Sequence, residues 1–377
     1  MAQVDSAGGI CDICEGFLTG LRRTGTMMKK LISLVLIALL ASLSLCAAAG
    51  EQVITLTVLG DTLFGSNDPV STREYAFQRY IEQYGADYPY RELQRLIGND
   101  DITLVNLENV FNDDAPASKS RYAFRGPVSY AALLPANSIE AVNLANNHIG
   151  DYGQEGYDST IAALKEHNVL FSGCTEHGNH YAVWEKDGIK IGFVGVLPMY
   201  YKDHAKEVSD CFDALRQAGC QVIVASVHAG MEYRATHGDM QVRYGRILRS
   251  LGAHLVIGHH PHVPQGVDVT RGVTHLYSLG NGAFGGNTGV DEKLHNITGI
   301  AAQFALHFKD GVYQGHQMTI WPIHISGTQS HNNYQPVLVD GEDARKVMAR
   351  VQKDSRIKLN PYVDGQGAVQ DFVPWKP

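Results

Sequence analysis

Five apolar stretches of the 377-residue chain each stop at a residue that can bind a metal or carry a proton. Asp61 follows residues 53–59, and Glu108 follows 102–107. Asn147 and His148 follow 141–145, His228 follows 222–227, and His260-Pro261-His262 follows 255–257. Carboxylate, amide oxygen and imidazole are the donors that a hard or borderline divalent cation takes. Two imidazoles at i and i+2, with a proline between them, can both face the same pair of ions. Gly258 and Gly266 beside them would let the backbone turn sharply. An imidazole also titrates near neutral pH, so the same set suits proton transfer. Singly, each feature is weak: Gly60-Asp61 reads as a turn, and His228 alone reads as a structural imidazole. Five such ends with matching donor types point to one site.

The elements that must position these residues alternate strand and helix. Strands are expected over 53–59, 102–107, 141–145, 222–227, 255–257 and 274–279. Helices are expected over 73–97, 157–167, 208–218, 242–251 and 344–352. Residues 181–186 and 189–197 read as a hairpin turning on Asp187-Gly188, a type I′ signal. A second hairpin pairs 300–308 with 313–320. Alternating βα units with added hairpins predict an α/β fold with mixed sheets and helices packed outside. In such sheets, ligand sites lie beyond the carboxyl ends of the strands.

Composition bounds the reading. Apolar residues make up 44% and charged residues 19%, enough for a large core and against disorder. Net charge is −8 and no long basic run occurs, which excludes a nucleic-acid-binding footprint. All 17 histidines lie between His148 and His331. That count alone does not separate ligands from surface or core imidazoles. There is no Gly-x-Ser-x-Gly elbow and no P-loop, so neither a serine nucleophile nor a nucleotide-driven ligase is supported. Beyond residue 50 the cysteines are Cys174, Cys211 and Cys220, an odd number that argues against a disulfide framework. Cys211 and Cys220 flank a helix that would hold them about 13 Å apart, too far to bridge, so free or buried thiols are expected.

Met27-Met28-Lys29-Lys30, the uncharged run 31–49 and Ala47-Ala48-Ala49 make the pattern of a secretory signal. An uncleaved membrane anchor is the alternative. Leu45 disfavours lipidation at Cys46. Residues 1–26 read as a spurious extension, and Cys11-x-x-Cys14 within it as incidental. The expected organisation is therefore 1–26 extension, 27–49 signal or anchor, 52–325 main domain and 326–377 C-terminal extension. The protein would be exported, periplasmic or extracellular, or anchored with its domain outside the cytoplasm.

Six segments carry a resemblance: Leu59-Gly60-Asp61, Asn106-Leu107-Glu108, residues 145–153 (ANNHIGDYG), residues 228–233 (HAGMEY), residues 258–263 (GHHPHV) with Gln265-Gly266, and residues 277–281 (YSLGN). In order and spacing this series resembles the bacterial capsule-synthesis CapA family, also called the poly-γ-glutamate capsule family, from about residue 53 to 325. The resemblance implies a domain similar to calcineurin-like metallophosphoesterases, a four-layer α-β-β-α sandwich with a two-metal site. By position it implies metal ligation by Asp61, Glu108 (as the bridging carboxylate), Asn147, His228, His260 and His262. The cofactor would be one or two divalent ions, with Mn, Zn, Fe and Mg all compatible. His148 would be the neighbouring proton donor. Asp151 would orient it, or serve only as a turn former. Asn106, Arg125, Glu232, Tyr233 and Asn281 would contact substrate, with Arg121 and Arg125 offsetting an anionic polymer's charge. His259 reads as a supporting neighbour or a bystander. Two departures stand out. Leu63 occupies the histidine position of the Asp-x-His pattern, which removes a ligand from one metal site. Phe284 stands two residues later than the family's aromatic, which alters the cleft wall.

The resemblance implies an exported metal-dependent hydrolase or transferase acting on poly-γ-glutamate or a similar anionic envelope polymer, beside membrane-bound capsule-synthesis partners. Two alternatives stay open: a metal-dependent phosphoesterase, and a non-catalytic component of a capsule export complex.

Overall fold

Alternation along the strands sorts the apolar side chains into three large cores. The computed structural model describes residues 50–67, 74–118, 122–286 and 297–376. The extension and signal expected over 1–49, and Arg121, lie outside them.

The strands that build the site are β1 (Glu51–Leu63), β2 (Ile102–Leu107), β3 (Ala141–Asn143), β4 (Leu170–Thr175), β5 (Gly178–Lys186), β6 (Ile189–Val196), β7 (Val222–His228) and β8 (Leu255–His259). After them come β9 (Val267–Thr270), β10 (Val273–Leu276), β11 (Asn281–Phe284), β12 (Thr298–Lys309) and β13 (Val312–His324). The main helices are α1 (Phe77–Tyr84), α2 (Gly153–Glu166), α3 (Ala205–Gln217), α4 (Asp239–Leu251) and α5 (Gly341–Asp354).

One half-sheet runs β13-β12-β1-β2-β3-β4, and the other runs β4-β5-β6-β7-β8-β10-β9. Strand β4 serves both: residues 170–172 pair with β3, and 173–175 pair with β5. Strands β1, β2 and β3 are parallel to one another, as are β6, β7 and β8, while β12 and β13 are antiparallel additions. Ile54, Leu56, Val58 and Leu104 of the first half share a core with Phe193, Val224 and Ile257 of the second, so the two halves face each other. The outer side of the first half, with Val105, Leu107 and Leu144, packs on Ile161 and Leu164 of α2 and Phe77 of α1. The outer side of the second, with Val196, Ile223 and Ala225, packs on Phe212 and Leu215 of α3 and Leu248 of α4. The order helix, sheet, sheet, helix is the mixed α-β-β-α sandwich that the family resemblance implies.

One expected element breaks. The helix expected over 73–97 is α1 followed, after Gly85 at φ 94°, by separate turns at Arg91–Leu93 and Gln94–Ile97. Gly85 and Pro89 interrupt the apolar periodicity that joins these pieces on paper. The hairpin turn forms as expected, with Asp187 at φ 51° and Gly188 at φ 79°. The C-terminal segment contributes Ala344, Val347, Met348, Val351, Leu359 and Tyr362 to the core between the half-sheets. The described residues from 51 to 376 cluster as a single unit. Among the described residues no helix is long and apolar enough to cross a membrane.

Candidate metal centre

Strand register brings the polar residues together. Asp61 on β1 lies opposite Asn106 on β2, which lies opposite Asn143 on β3. On the other half-sheet His228 lies opposite His259. Between the Val58–Leu104 and Asp61–Asn106 pairs, β1 advances three residues and β2 two. This bulge resets the alternation, so Asp61 shares the inner face with Ile54, Leu56 and Val58 instead of pointing outward with Leu59.

Glu108 is the centre of the cluster. It is fully buried, and neither carboxylate oxygen has a hydrogen-bond partner among the described residues. Its Oε1 lies 3.6 Å from His228 Nε2, 3.8 Å from His262 Nε2 and 4.0 Å from His148 Nε2. Two metal-competent groups share it, Asp61–Glu108–His228 and Glu108–His260–His262, each with ligand atoms within 4.8 Å of one another. Asn147 Oδ1 lies 2.6 Å from His228 Nε2. The six residues expected as ligands are therefore gathered at one edge of the sandwich.

Burial and charge then sort the titrating groups. Burial raises the Asp61 carboxyl, but the close imidazoles of His259 and His262 outweigh it and hold the group well below the usual range. Burial and the charge of Asp61 drive Glu108 well above its ordinary value, against the pull of His262. Burial works against a charged His262, yet Glu108, Asp61 and Asn281 carry it up to about 10. Burial also holds His228 well below its usual value, opposed by Asp61 and reinforced by the charges of His260, His259 and His262. Two carboxylates and several imidazoles thus compete for too few protons in a dry space. A divalent cation relieves such an arrangement by letting both carboxylates ionise.

The loop bearing His260 and His262 is strained. His260 has φ 97° and His262 has φ 58°, and the facing Tyr233 has φ 59°. Left-handed backbone at bulky residues costs about 1–3 kcal/mol each and gathers at functional sites. Hydrogen bonds hold it in place: His260 N donates to Asp61 Oδ2 at 3.1 Å, and Tyr233 N to the Pro261 carbonyl at 2.7 Å. The sharp turn expected of Gly258 and Gly266 falls on the histidines instead. Neither glycine has a positive φ; a side chain there would strike the backbone of Tyr277 or of Asp354. Asp354, at the end of α5, accepts hydrogen bonds from Gly266 N at 2.8 Å and His237 N at 3.1 Å. It also lies 2.9 Å from His237 Nδ1.

His148 Nδ1 lies 2.8 Å from Asp151 Oδ2, and that oxygen also accepts the Phe124 amide at 2.7 Å. Asn106 and Asn281, expected as substrate contacts, are fully buried. Asn106 Nδ2 donates to Asp61 Oδ1 at 2.8 Å, and Asn281 Oδ1 lies 2.8 Å from His262 Nδ1. Their amides hold candidate ligands and present no surface to a cleft. Glu232 is exposed, close enough for its charge to act on Glu108 and His260. The Tyr233 ring lies 5.9 Å from that of His262. Arg125 donates to the Asp113 carbonyl at 3.1 Å, with its guanidinium 5.4 Å from the centre of the Tyr152 ring. Leu63, in the position of the missing histidine, packs with Phe124 and Phe284. The same two rings flank His148 at 4.4 Å and His262 at 5.1 Å. The displaced aromatic therefore still reaches the site. His259 is more than a bystander by position: it is buried, its Nδ1 lies 3.4 Å from Asp61 Oδ1, and neither ring nitrogen has a hydrogen-bond partner among the described residues. Beside the cluster runs a cleft of about 510 Å³ lined by Asn147, Asp151, Glu176, His177, Tyr200 and His204, among others.

Residues 55–285 match the family described as bacterial capsule synthesis protein PGA_cap. Among curated proteins, the capsule biosynthesis protein CapA of Bacillus anthracis is 27% identical over 259 residues, covering 62% of this chain and 60% of that protein. The PGA biosynthesis protein CapA of Bacillus subtilis is 23% identical, covering 62% and 64%. A probable polyglutamine synthesis accessory protein of Mycobacterium tuberculosis is 24% identical, covering 52% and 59%. The chain thus spans about three fifths of the length of these relatives. A purple acid phosphatase from yellow lupin superposes with a TM-score of 0.34 at 8% identity, covering 79% of this chain and 55% of that one, too low a score to bear on the fold. The family match takes in more than half of the chain and every candidate ligand from Asp61 to His262, and on it the chain belongs to the PGA_cap family of bacterial capsule synthesis proteins.

Proposed function

We propose that this chain is an exported, metal-dependent hydrolase or transferase of poly-γ-glutamate or a related anionic envelope polymer. The observation that carries the metal reading is Glu108, a fully buried carboxylate with neither oxygen hydrogen-bonded among the described residues and three imidazoles within 4.0 Å. An uncompensated buried carboxylate is costly, and a cation is the partner its surroundings fit. The donor set of carboxylates, an amide oxygen and several imidazoles favours Mn, Fe or Zn over Mg. Asp61, Glu108 and His228 would hold one ion, Glu108, His260 and His262 a second, with Asn147 beside His228. Such an ion supplies Lewis acidity to an ester, amide or phosphoryl oxygen.

The chain's own residues supply the rest. Asp151 accepts a hydrogen bond from His148 Nδ1, which fixes the tautomer and leaves Nε2 to give or take a proton beside Glu108. Leu63, Phe124 and Phe284 form a dry wall that strengthens charge interactions at the cluster. A protein of net charge −8 meeting a polyanion needs local positive charge, which a bound cation provides. Export is supported by the basic flank and apolar run at 29–49.

The test strips the purified chain with a chelator and restores Mn, Fe or Zn. Metal content is read by elemental analysis, and poly-γ-glutamate length by size-exclusion chromatography. Bound metal with metal-dependent shortening or transfer of the polymer is expected, both lost in Glu108→Gln. A folded wild-type chain that takes up none of the three metals would defeat the metal reading. Bound metal with an unchanged polymer would defeat only the substrate assignment.

A further inference from the structure

We propose that Cys174 and Cys211 form a buried disulfide when the chain folds in the presence of a disulfide donor. Cys174 lies on β4 and Cys211 on α3, and their sulfurs are 3.5 Å apart in the outer core of the second half-sheet. Bond formation needs an approach from 3.5 Å to about 2.05 Å. Cys174 is fully buried and Cys211 is 6% exposed, while Cys220 is only half-buried. The odd number of cysteines and the helical spacing of Cys211 and Cys220 hide this pair, because the partner of Cys211 lies 37 residues away in sequence.

The reaction balances as two thiol–disulfide exchanges with glutathione disulfide, or any donor of that class. One cysteine thiolate attacks the donor sulfur and expels a glutathione thiolate. The second attacks the mixed disulfide and expels the other. The two cysteines lose two electrons and two protons, and the donor becomes two thiols. The hydrogen bond that Cys174 donates to Cys211, together with burial, keeps the Cys174 thiol protonated once folded, so exchange belongs to folding and not to the finished protein.

The bond would also tie the cleft together. Thr175, Glu176 and His177, next to Cys174, line one side of it. Met199, Tyr200 and His204, just ahead of α3, line the other. The disulfide would hold these walls at a fixed spacing whether or not a metal is bound.

The experiment refolds the full chain from denaturant in a reduced/oxidised glutathione buffer, alkylates free thiols, and maps the digest by mass spectrometry. A peptide joining Cys174 to Cys211, two hydrogens lighter than its parts, is expected, with Cys220 alkylated. The oxidised protein should melt about 4 °C above the same protein refolded in reductant. Recovery of folded protein with Cys174 and Cys211 both alkylated, or either one joined to another cysteine, would overturn the proposal.

Discussion

His262 and His316 are both buried imidazoles, and their surroundings push them in opposite directions. His262 stands at the carboxyl end of the strands among Asp61, Glu108 and Asn281, and rises to about 10. His316 lies within β13, between the Thr274 hydroxyl at 2.7 Å and the Tyr313 hydroxyl at 2.8 Å, and falls to about 3. Burial lowers both; only His262 has carboxylates to answer it. His254 and His275 follow His316, pushed by burial to about 4 and about 3. One set of histidines is organised around negative charge, and the other is packed as neutral imidazoles, of which His254 and His316 are hydrogen-bonded. What separates them is the presence of a carboxylate, which a histidine count does not register.

The sharpest way to break this contrast is to remove the site histidines. The double variant His260→Ala, His262→Ala should lose the divalent ion assigned to Glu108, His260 and His262 yet fold, with a metal-free melting temperature below that of wild type, because the backbone strain stays with the Cβ atoms while buried Asp61 and Glu108 lose the imidazole of His262. Unchanged metal stoichiometry in the folded variant would remove the ground for treating the two regions differently.

The second test uses acid on the core set. The unfolded chain protonates His254 near the usual 6.5, whereas the folded chain resists until about pH 4. Between those values only the unfolded state binds the proton, so stability is lost as pH falls through the window and levels off below it. Each such imidazole contributes about 1.4 kcal/mol per pH unit there. His254→Gln should flatten the pH dependence by that amount in denaturant titrations of metal-free protein. An identical slope in variant and wild type would contradict a neutral His254.

Replacing His316 with Ala should cost about 2–4 kcal/mol of unfolding free energy, from two lost hydrogen bonds and the cavity left behind. Metal content should not change; a loss would mean that the core set also supports the centre. The smallest effect sharpens the boundary between the sets. His259 touches Asp61 but lies outside both ligand groups. His259→Phe should weaken metal binding about 10–100-fold by freeing Asp61, as loss of an orienting partner does. Isothermal titration with Mn or Zn reads this; affinity equal to wild type would return His259 to the core set.

The strands and their polar ends were legible because an apolar β-rich run that stops at Asp, Glu or His is a local pattern. Mixed sheets with helices outside were legible from the alternation of strands and amphipathic helices, whereas the four-layer sandwich came only from the family resemblance. The bulge that re-aims Asp61 was not legible, since it is a mismatch between two strands and neither shows it alone. Nor was the left-handed backbone at His260 and His262, which depends on contacts from Asp61 and from the loop carrying Tyr233. Asn106 and Asn281 were read as substrate contacts because motif position names a residue without its depth; buried amides behind ligands look the same in sequence as amides in a cleft. His259 was left between two readings for the same reason.

Asp354 bears on how the protein is divided in the laboratory. It lies well beyond residue 285, where the family match stops, and beyond 325, where the expected main domain stops. An expression fragment cut at either point would carry every candidate ligand and still lack the carboxylate that pins Gly266 and His237, on the loops following His262 and Tyr233. Boundaries drawn by similarity mark where the chemistry is written, and a fragment meant to keep these hydrogen bonds has to extend through α5.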